Sequence, residues 1–202
     1  MSEDGVDRGK RRFLTALTAG VGTVGIVFAA TPFVLSMNPS ARARAAGAPV
    51  DVDISKLELG QMLVVAWRGK PVYIVNRTKA MLAQLPNNTP LLVDPFSKVQ
   101  SQQPPYAENI YRARKPEILV VLGVCTHLGC APSKAFTVGV PSGFGANWPG
   151  GFFCHCHGSK YDMSGRVFKN VPAPLNLDVP PYMYLTDTLI RIGSDKKKQG
   201  AA

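Results

Sequence analysis

Cys125-Thr126-His127-Leu128-Gly129-Cys130 and, further along, Cys154-His155-Cys156-His157-Gly158-Ser159 contain every cysteine and every histidine of this chain. The chain has 202 residues but only 4 Cys and 3 His, so confining them to two short stretches marks one site rather than general core or surface use. Each stretch offers a mixed pair, Cys125-x-His127 and Cys154-x-x-His157, and each keeps one further thiol, Cys130 and Cys156. Both follow apolar runs at 117–124 and 151–154, which read as buried strands. Loops at the end of a rigid sheet are a good platform for a site.

Three readings use these side chains. A structural zinc site takes Cys and His, but usually as Cys-x(2–4)-Cys with His-x(3–5)-His, whereas here each loop mixes the two types. Disulfides alone would leave the histidines without a task, and sequence cannot choose among the three pairings of four thiols. A [2Fe–2S] centre with two Cys on one iron and two His on the other employs Cys125, His127, Cys154 and His157, and leaves Cys130 and Cys156 over. That reading accounts for the most residues. His155, between two cysteines, is read as an exposed bystander.

The rest of the chain supplies context. A net charge of +10 raises the question of nucleic acid, but the tight basic runs are Lys10-Arg11-Arg12 and Lys196-Lys197-Lys198, both near the ends. No basic stripe interleaved with aromatics is present, which excludes that class and favours topology signals or contact with membrane lipid. Residues 13–37 are 25 in number without one charge. As a helix they reach about 37 Å, enough to cross a bilayer, so they are read as a retained anchor. Within them Gly20-x-Gly22-x-x-Gly25 matches a dinucleotide fingerprint by accident, since no strand precedes it. Pro32 is expected to kink the helix. Arg8, Lys10, Arg11 and Arg12 before the span outnumber Arg42 and Arg44 after it, placing the N-terminus in the cytoplasm. The segment 1–12 also has the look of a twin-arginine export signal.

Residues 38–49 are small and polar with flanking prolines and read as a flexible hinge linker. Residues 50–194 read as a β domain, with hairpins predicted at 62–75 and 182–192, a short helix at 78–85, and a long Pro-, Gln- and Asn-rich insertion between 77 and 115. A basic tail, 195–202, ends the chain.

The loops C-T-H-L-G-C and C-x-C-H-G-S-x-Y, with Gly165-Arg166-Val167 and Pro172-Ala173-Pro174-Leu175-Asn176-Leu177, closely resemble the Rieske iron–sulfur proteins of bacterial quinol–cytochrome c oxidoreductases, and the likeness runs over essentially the whole chain. The resemblance implies a mainly β fold: a Rieske-type antiparallel β-sandwich with a small cluster-binding subdomain (loops 125–130 and 154–161), preceded by one transmembrane helix. It implies one Rieske [2Fe–2S] cluster on Cys125, His127, Cys154 and His157, and a Cys130–Cys156 disulfide. Ser159 would donate to a bridging sulfide and Tyr161 to the Cys125 sulfur, with Gly158 beside them. His157 would contact quinol and accept its proton, while Leu128, Gly129 and Pro172 shape the docking surface. Implied partners are cytochrome b and c-type cytochrome subunits in a dimeric complex, the quinol substrate and membrane lipid, with the domain periplasmic at the cytoplasmic membrane. His155 departs from the family, which mostly has proline there. The Rieske subunit of another exported oxidoreductase is the rival reading within the same chemistry.

Overall fold

The computed structural model describes residue 5 and residues 7–195, in two compact units, Met1–Ala45 and Ala46–Ala202. The lysine run at 196–198, and all of the expected tail after Asp195, lie outside the described residues, as do several of the first residues of the export-signal segment.

The first unit is built on helix α1, Arg8–Ser36, which begins one turn before the uncharged run. Asp7 caps it by accepting from the backbone N–H of Gly9 (2.9 Å) and Lys10 (3.1 Å), which satisfies donors that have no intrahelical partner. Its 29 residues span about 43 Å, and Pro32 sits inside it, where the helix continues to Ser36. Thr15, Thr23 and Thr31 donate their hydroxyls to the carbonyls four residues back, at 2.9, 2.8 and 2.7 Å. A helix whose polar side chains are satisfied internally, with every side chain facing outward, suits a hydrocarbon solvent. It is the one helix among the described residues long and apolar enough to cross a membrane. The expected linker is partly helical: α2, Ala41–Ala46, starts where Ser40 accepts from the Ala43 N–H at 3.1 Å.

Among its described residues the second unit holds nine strands in three antiparallel sheets. One contains β1 (Val50–Asp53), β9 (Leu189–Ile192) and β8 (Tyr182–Tyr184) in that order. Another orders β2 (Met62–Trp67), β3 (Lys70–Asn76) and β4 (Ile118–Leu122). The β2–β3 hairpin pairs Val65 with Val72 and turns through Arg68, whose positive φ of 52° is compensated by its guanidinium lying 4.7 Å over the Trp67 ring. β4 reads Ile-Leu-Val-Val-Leu and is buried throughout, as an unbroken apolar run requires. The two sheets share one apolar core that includes Val72, Ile74, Leu119, Val121, Tyr182 and Ile190.

The third sheet orders β5 (Ser133–Ala135), β6 (Gly151–Cys154) and β7 (Ser159–Asp162). It carries both Cys/His stretches, one leading into β5 and the other forming the β6–β7 connection. Phe152 of β6 faces inward, stacked on Tyr73 with ring centroids 5.8 Å apart, and this joins the third sheet to the core.

The insertion packs closely against the rest of the domain. Besides helix α3 (Lys79–Gln84), it forms three 3-10 turns and straps across residues 162–179. Val93 N donates to Val167 O (3.1 Å), Lys169 N to Leu91 O (2.8 Å) and Val179 N to Gln102 O (2.8 Å). The buried Asn176 amide accepts from Val167 N (2.8 Å) and donates to Asp94 O (3.0 Å). Three fully buried arginines complete the brace. Arg77 reaches Met163 O and Ser164 Oγ, Arg112 reaches Leu177 O and Gln102 O, and Arg166 reaches Leu85 O and Pro95 O. Burial lowers the Arg77 and Arg112 guanidinium pKa values to about 10, so both remain charged at neutral pH.

Candidate metal centre

Two loops of the same local design present the candidate ligands. In the first, Gly129 N donates to Cys125 O at 2.9 Å; in the second, Gly158 N donates to Cys154 O at 2.9 Å. Both glycines have left-handed φ, 85° and 80°, which a side chain would strain. Each cysteine therefore starts a tight turn closed by a glycine four residues on. A disulfide between Cys130 and Cys156 ties the two turns together.

Cys125 and Cys154 are free thiols and buried. The rings of His127 and His157 meet edge to face, with centroids 4.8 Å apart, and His157 is exposed while His127 is half-buried. Sγ atoms of Cys130, Cys154 and Cys156 also lie within 4.8 Å of one another, but two of these are spent in the disulfide. Cys125 and Cys154 thus remain as thiols outside the disulfide, in the two loops that also carry the paired His127 and His157 rings.

The polar groups around the thiols are arranged toward sulfur. The Tyr161 hydroxyl is 3.2 Å from Cys125 Sγ and accepts from Thr126 N at 3.1 Å. Burial pushes the Cys125 thiol up, but hydrogen bonds from Tyr161, the His127 backbone, Cys154 and Ser159 outweigh it and hold the thiol below its ordinary range. Cys154 is shifted up, by burial first and by Cys125 next. Burial and the neighbouring Cys125 likewise raise Tyr161, keeping it a neutral donor. Ser159 Oγ accepts from Ala173 N at 3.0 Å, which leaves its own proton available for a sulfur acceptor. Through that bond the proline-rich segment is fixed to β7.

Thr126, which sequence reading passed over, donates to Leu175 O at 2.7 Å and so joins the first loop to the same segment. Asp162 and Arg166 were missed as well. They form a fully buried pair at 2.6 Å just beyond Tyr161, and their spacing of four residues was the available signal. Leu128 is 71% exposed, and Gly129 and Pro172 are exposed too. His155 is exposed, its ring edge to face with Phe153 at 4.8 Å between centroids.

The sequence matches the family model described as "Rieske [2Fe-2S] domain" over residues 93–181, and the one described as "Ubiquitinol-cytochrome C reductase Fe-S subunit TAT signal" over residues 1–40. It is 58% identical to the "Ubiquinol-cytochrome c reductase iron-sulfur subunit" of Allochromatium vinosum, across 97% of this chain and 94% of that one. The chain belongs to the family of Rieske iron–sulfur subunits of ubiquinol–cytochrome c reductase. The subunit of the same name from Blastochloris viridis is 45% identical over 96% of this chain and 97% of its own. A chain of "Hyperthermophilic respiratory Complex III" is similar at 25% identity and a TM-score of 0.45, covering 87% of this chain and 98% of that one.

The Rieske domain carries a [2Fe–2S] cluster, and the donor set fits it: two buried, unpaired thiols and two neighbouring imidazoles, with hydroxyls directed at sulfur. The export signal and the apolar helix make this a membrane-anchored, exported Rieske protein.

Proposed function

We propose that this chain is the tethered electron carrier of a quinol–cytochrome c oxidoreductase, taking an electron from quinol together with a coupled proton transfer and passing the electron to a c-type cytochrome. As one subunit it contributes to the proton-motive force only within its complex. The observation that carries the reading is the pair of touching imidazoles, one of them exposed, beside two buried free thiols.

In this reading Cys125 and Cys154 would hold one iron and His127 and His157 the other. When bound, the cluster supplies a one-electron centre whose potential is raised by neutral imidazole ligands and by hydrogen bonds to sulfur. His157, which is exposed, would hold iron through one ring nitrogen and leave the other facing solvent. That second nitrogen accepts the proton of the quinol hydroxyl. Tyr161 and Ser159 donate to sulfur, Gly158 permits the turn that places His157, and the Cys130–Cys156 disulfide locks the loops. Leu128, Gly129 and Pro172 form the apolar, uncharged rim on which quinol and the cytochrome b subunit dock.

The organisation follows as proposed from sequence: a cytoplasmic segment 1–12, an anchor 13–37, a hinge 38–49, the domain 50–194 and a tail 195–202. The N-terminus lies in the cytoplasm and the domain in the periplasm of a bacterial cytoplasmic membrane, with lipid around the anchor, and the complex is a dimer. The test is purification of the full chain with its membrane partners. Co-purifying b- and c-type haem subunits, a Rieske EPR signal and a midpoint potential that falls from neutral to alkaline pH are expected. A pH-independent potential would refute the proton coupling at His157, and a cluster-free chain would refute the whole reading.

A further inference from the structure

From residue 118 to residue 161 the chain contains no Asp or Glu. Asp162 then appears, buried and paired with Arg166, and the next carboxylate is Asp178. Of 13 acidic residues in the chain, the cluster-bearing stretch 118–177 holds this single one, and its charge is matched internally. Against it stand Lys134, Lys160 and Lys169, none of which forms an ion pair among the described residues. Elsewhere the domain does balance its surface charge, as Asp51–Arg191 and Lys115–Asp187 illustrate. The cluster-bearing stretch therefore carries an excess of lysines without an acidic partner; the exposed Glu58, which accepts from Gln61 Nε2 at 2.8 Å, is the carboxylate two residues from Gly60.

The same stretch also borders a recess. A cavity of about 490 Å³ is lined by Lys134, Phe136, Ser142, Phe144 and His155, with Gly60 from the segment between β1 and β2. Its walls are held firmly. Ser142 Oγ donates to Gly139 O and accepts from Phe144 N at 3.0 Å. Phe144 packs on Phe153 (centroids 4.5 Å apart), and Phe153 on His155 (4.8 Å). Since His155 lies between Cys154 and Cys156, the recess adjoins the loop that bears His157.

We propose that this recess seats a carboxylate side chain from an acidic surface of the electron-accepting c-type cytochrome, with Lys134 as its charged contact and the excess of unpaired lysines on the cluster-bearing stretch steering the encounter. The proposal rests on the electron-carrier reading above. The quinol side of the cycle calls for apolar, uncharged contact, which Leu128 and Pro172 offer. Handing an electron to a second protein calls for a brief, repeated encounter, the situation in which complementary charge raises the association rate most. Interfaces of weak redox encounters are correspondingly small.

The experiment uses the purified complex and follows reduction of the c-type haem by the pre-reduced centre at several ionic strengths. Lys134→Glu should slow this step about tenfold at low ionic strength, with the difference shrinking as salt is added. Lys160→Glu, outside the recess, should give a smaller drop with the same salt trend, while Lys134→Arg should match the wild type. Lys56→Glu, an exposed change between β1 and β2 and outside the recess lining, is the control. The EPR spectrum and midpoint potential of every variant should stay as in the wild type, showing that the centre is intact. A Lys134→Glu complex as fast as the Lys56→Glu control at every ionic strength overturns the proposal, and so does slowing confined to reduction by quinol. If the wild-type complex reduces no c-type haem, it is the electron-carrier reading that fails.

Discussion

Tyr161 and Cys125 are 36 residues apart in sequence and meet at 3.2 Å between phenol oxygen and sulfur. The Thr126 backbone N–H occupies the phenol oxygen from the other side. The phenol is thereby oriented to give its proton to sulfur. A donor to sulfur favours the more negative, reduced state of the centre. Tyr161→Phe should lower the midpoint potential while the EPR signal is retained. For a one-electron couple, a difference of about 1.4 kcal/mol between redox states corresponds to about 60 mV, and a fall of that order is expected. Ser159→Ala should act in the same direction. Unchanged potentials in both variants would remove these two residues from the tuning of the centre.

The buried Asp162–Arg166 pair anchors the turn that follows Tyr161. Asp162 accepts from Ser164 N, Arg166 N and the Arg166 guanidinium, so few of its lone pairs are unmet. Removing one partner leaves an unpaired charge in the interior, which is destabilising by about 3–5 kcal/mol. Arg166→Met should lower the denaturation midpoint of the holoprotein accordingly. A change within about 0.5 kcal/mol would show that the pair contributes little beyond what an apolar side chain supplies.

The disulfide closes a loop across a sequence separation of 26 residues, for which chain-entropy reasoning gives about 3.5 kcal/mol of stabilisation. It also keeps two turns together that share no strand pairing of their own. Cys130→Ala with Cys156→Ala should yield protein with reduced cluster occupancy and faster cluster loss on storage, measured by iron and sulfide content. Wild-type retention would mean that the third sheet alone positions the loops.

Asp51 and Arg191 pair across β1 and β9 in bidentate fashion, both bonds 2.6 Å. The hydrogen bond from Arg191 holds the Asp51 carboxyl below its ordinary value of 3.8. A depressed carboxylate stabilises the fold above its unfolded pKa, and that contribution is lost as pH falls through the lower, folded value. Asp51→Asn should therefore be slightly less stable than wild type at pH 7, since surface pairs are modest in effect. Thermal melts of the two should converge below pH 3.8. A gap that persists in acid would assign the difference to packing instead of charge.

The metal loops were legible because their residue types are rare and their spacing leaves few chemistries. The hairpin β2–β3 and the buried β4 were legible from apolar runs. Other elements were hidden for identifiable reasons. β5, Ser133–Ala135, has two exposed residues of three and no apolar alternation. β7, Ser159–Asp162, lies inside the ligand motif, and its polar residues are buried because hydrogen bonds to β6, Ala173 and Cys125 satisfy them. β1 alternates Val and Asp over four residues, but its partner strand is 140 residues away. The strap from 85 to 112 reads as polar loop because its partners are mostly backbone atoms, which carry no residue signature.

That last property bears on how sequences of this kind can diverge. Arg77, Arg112 and Arg166 grip the carbonyls of Pro116, Met163, Leu177, Gln102, Leu85 and Pro95. A carbonyl is present whatever side chain accompanies it. Substitutions can accumulate at many of the gripped positions without loosening the brace, provided that the replacement fits its surroundings. The constraint concentrates instead on three codons, each of which must keep specifying a long, forked cation in the interior. Among homologues, the strap should drift in composition and keep its path over the proline-rich segment, with these three arginines as its fixed points.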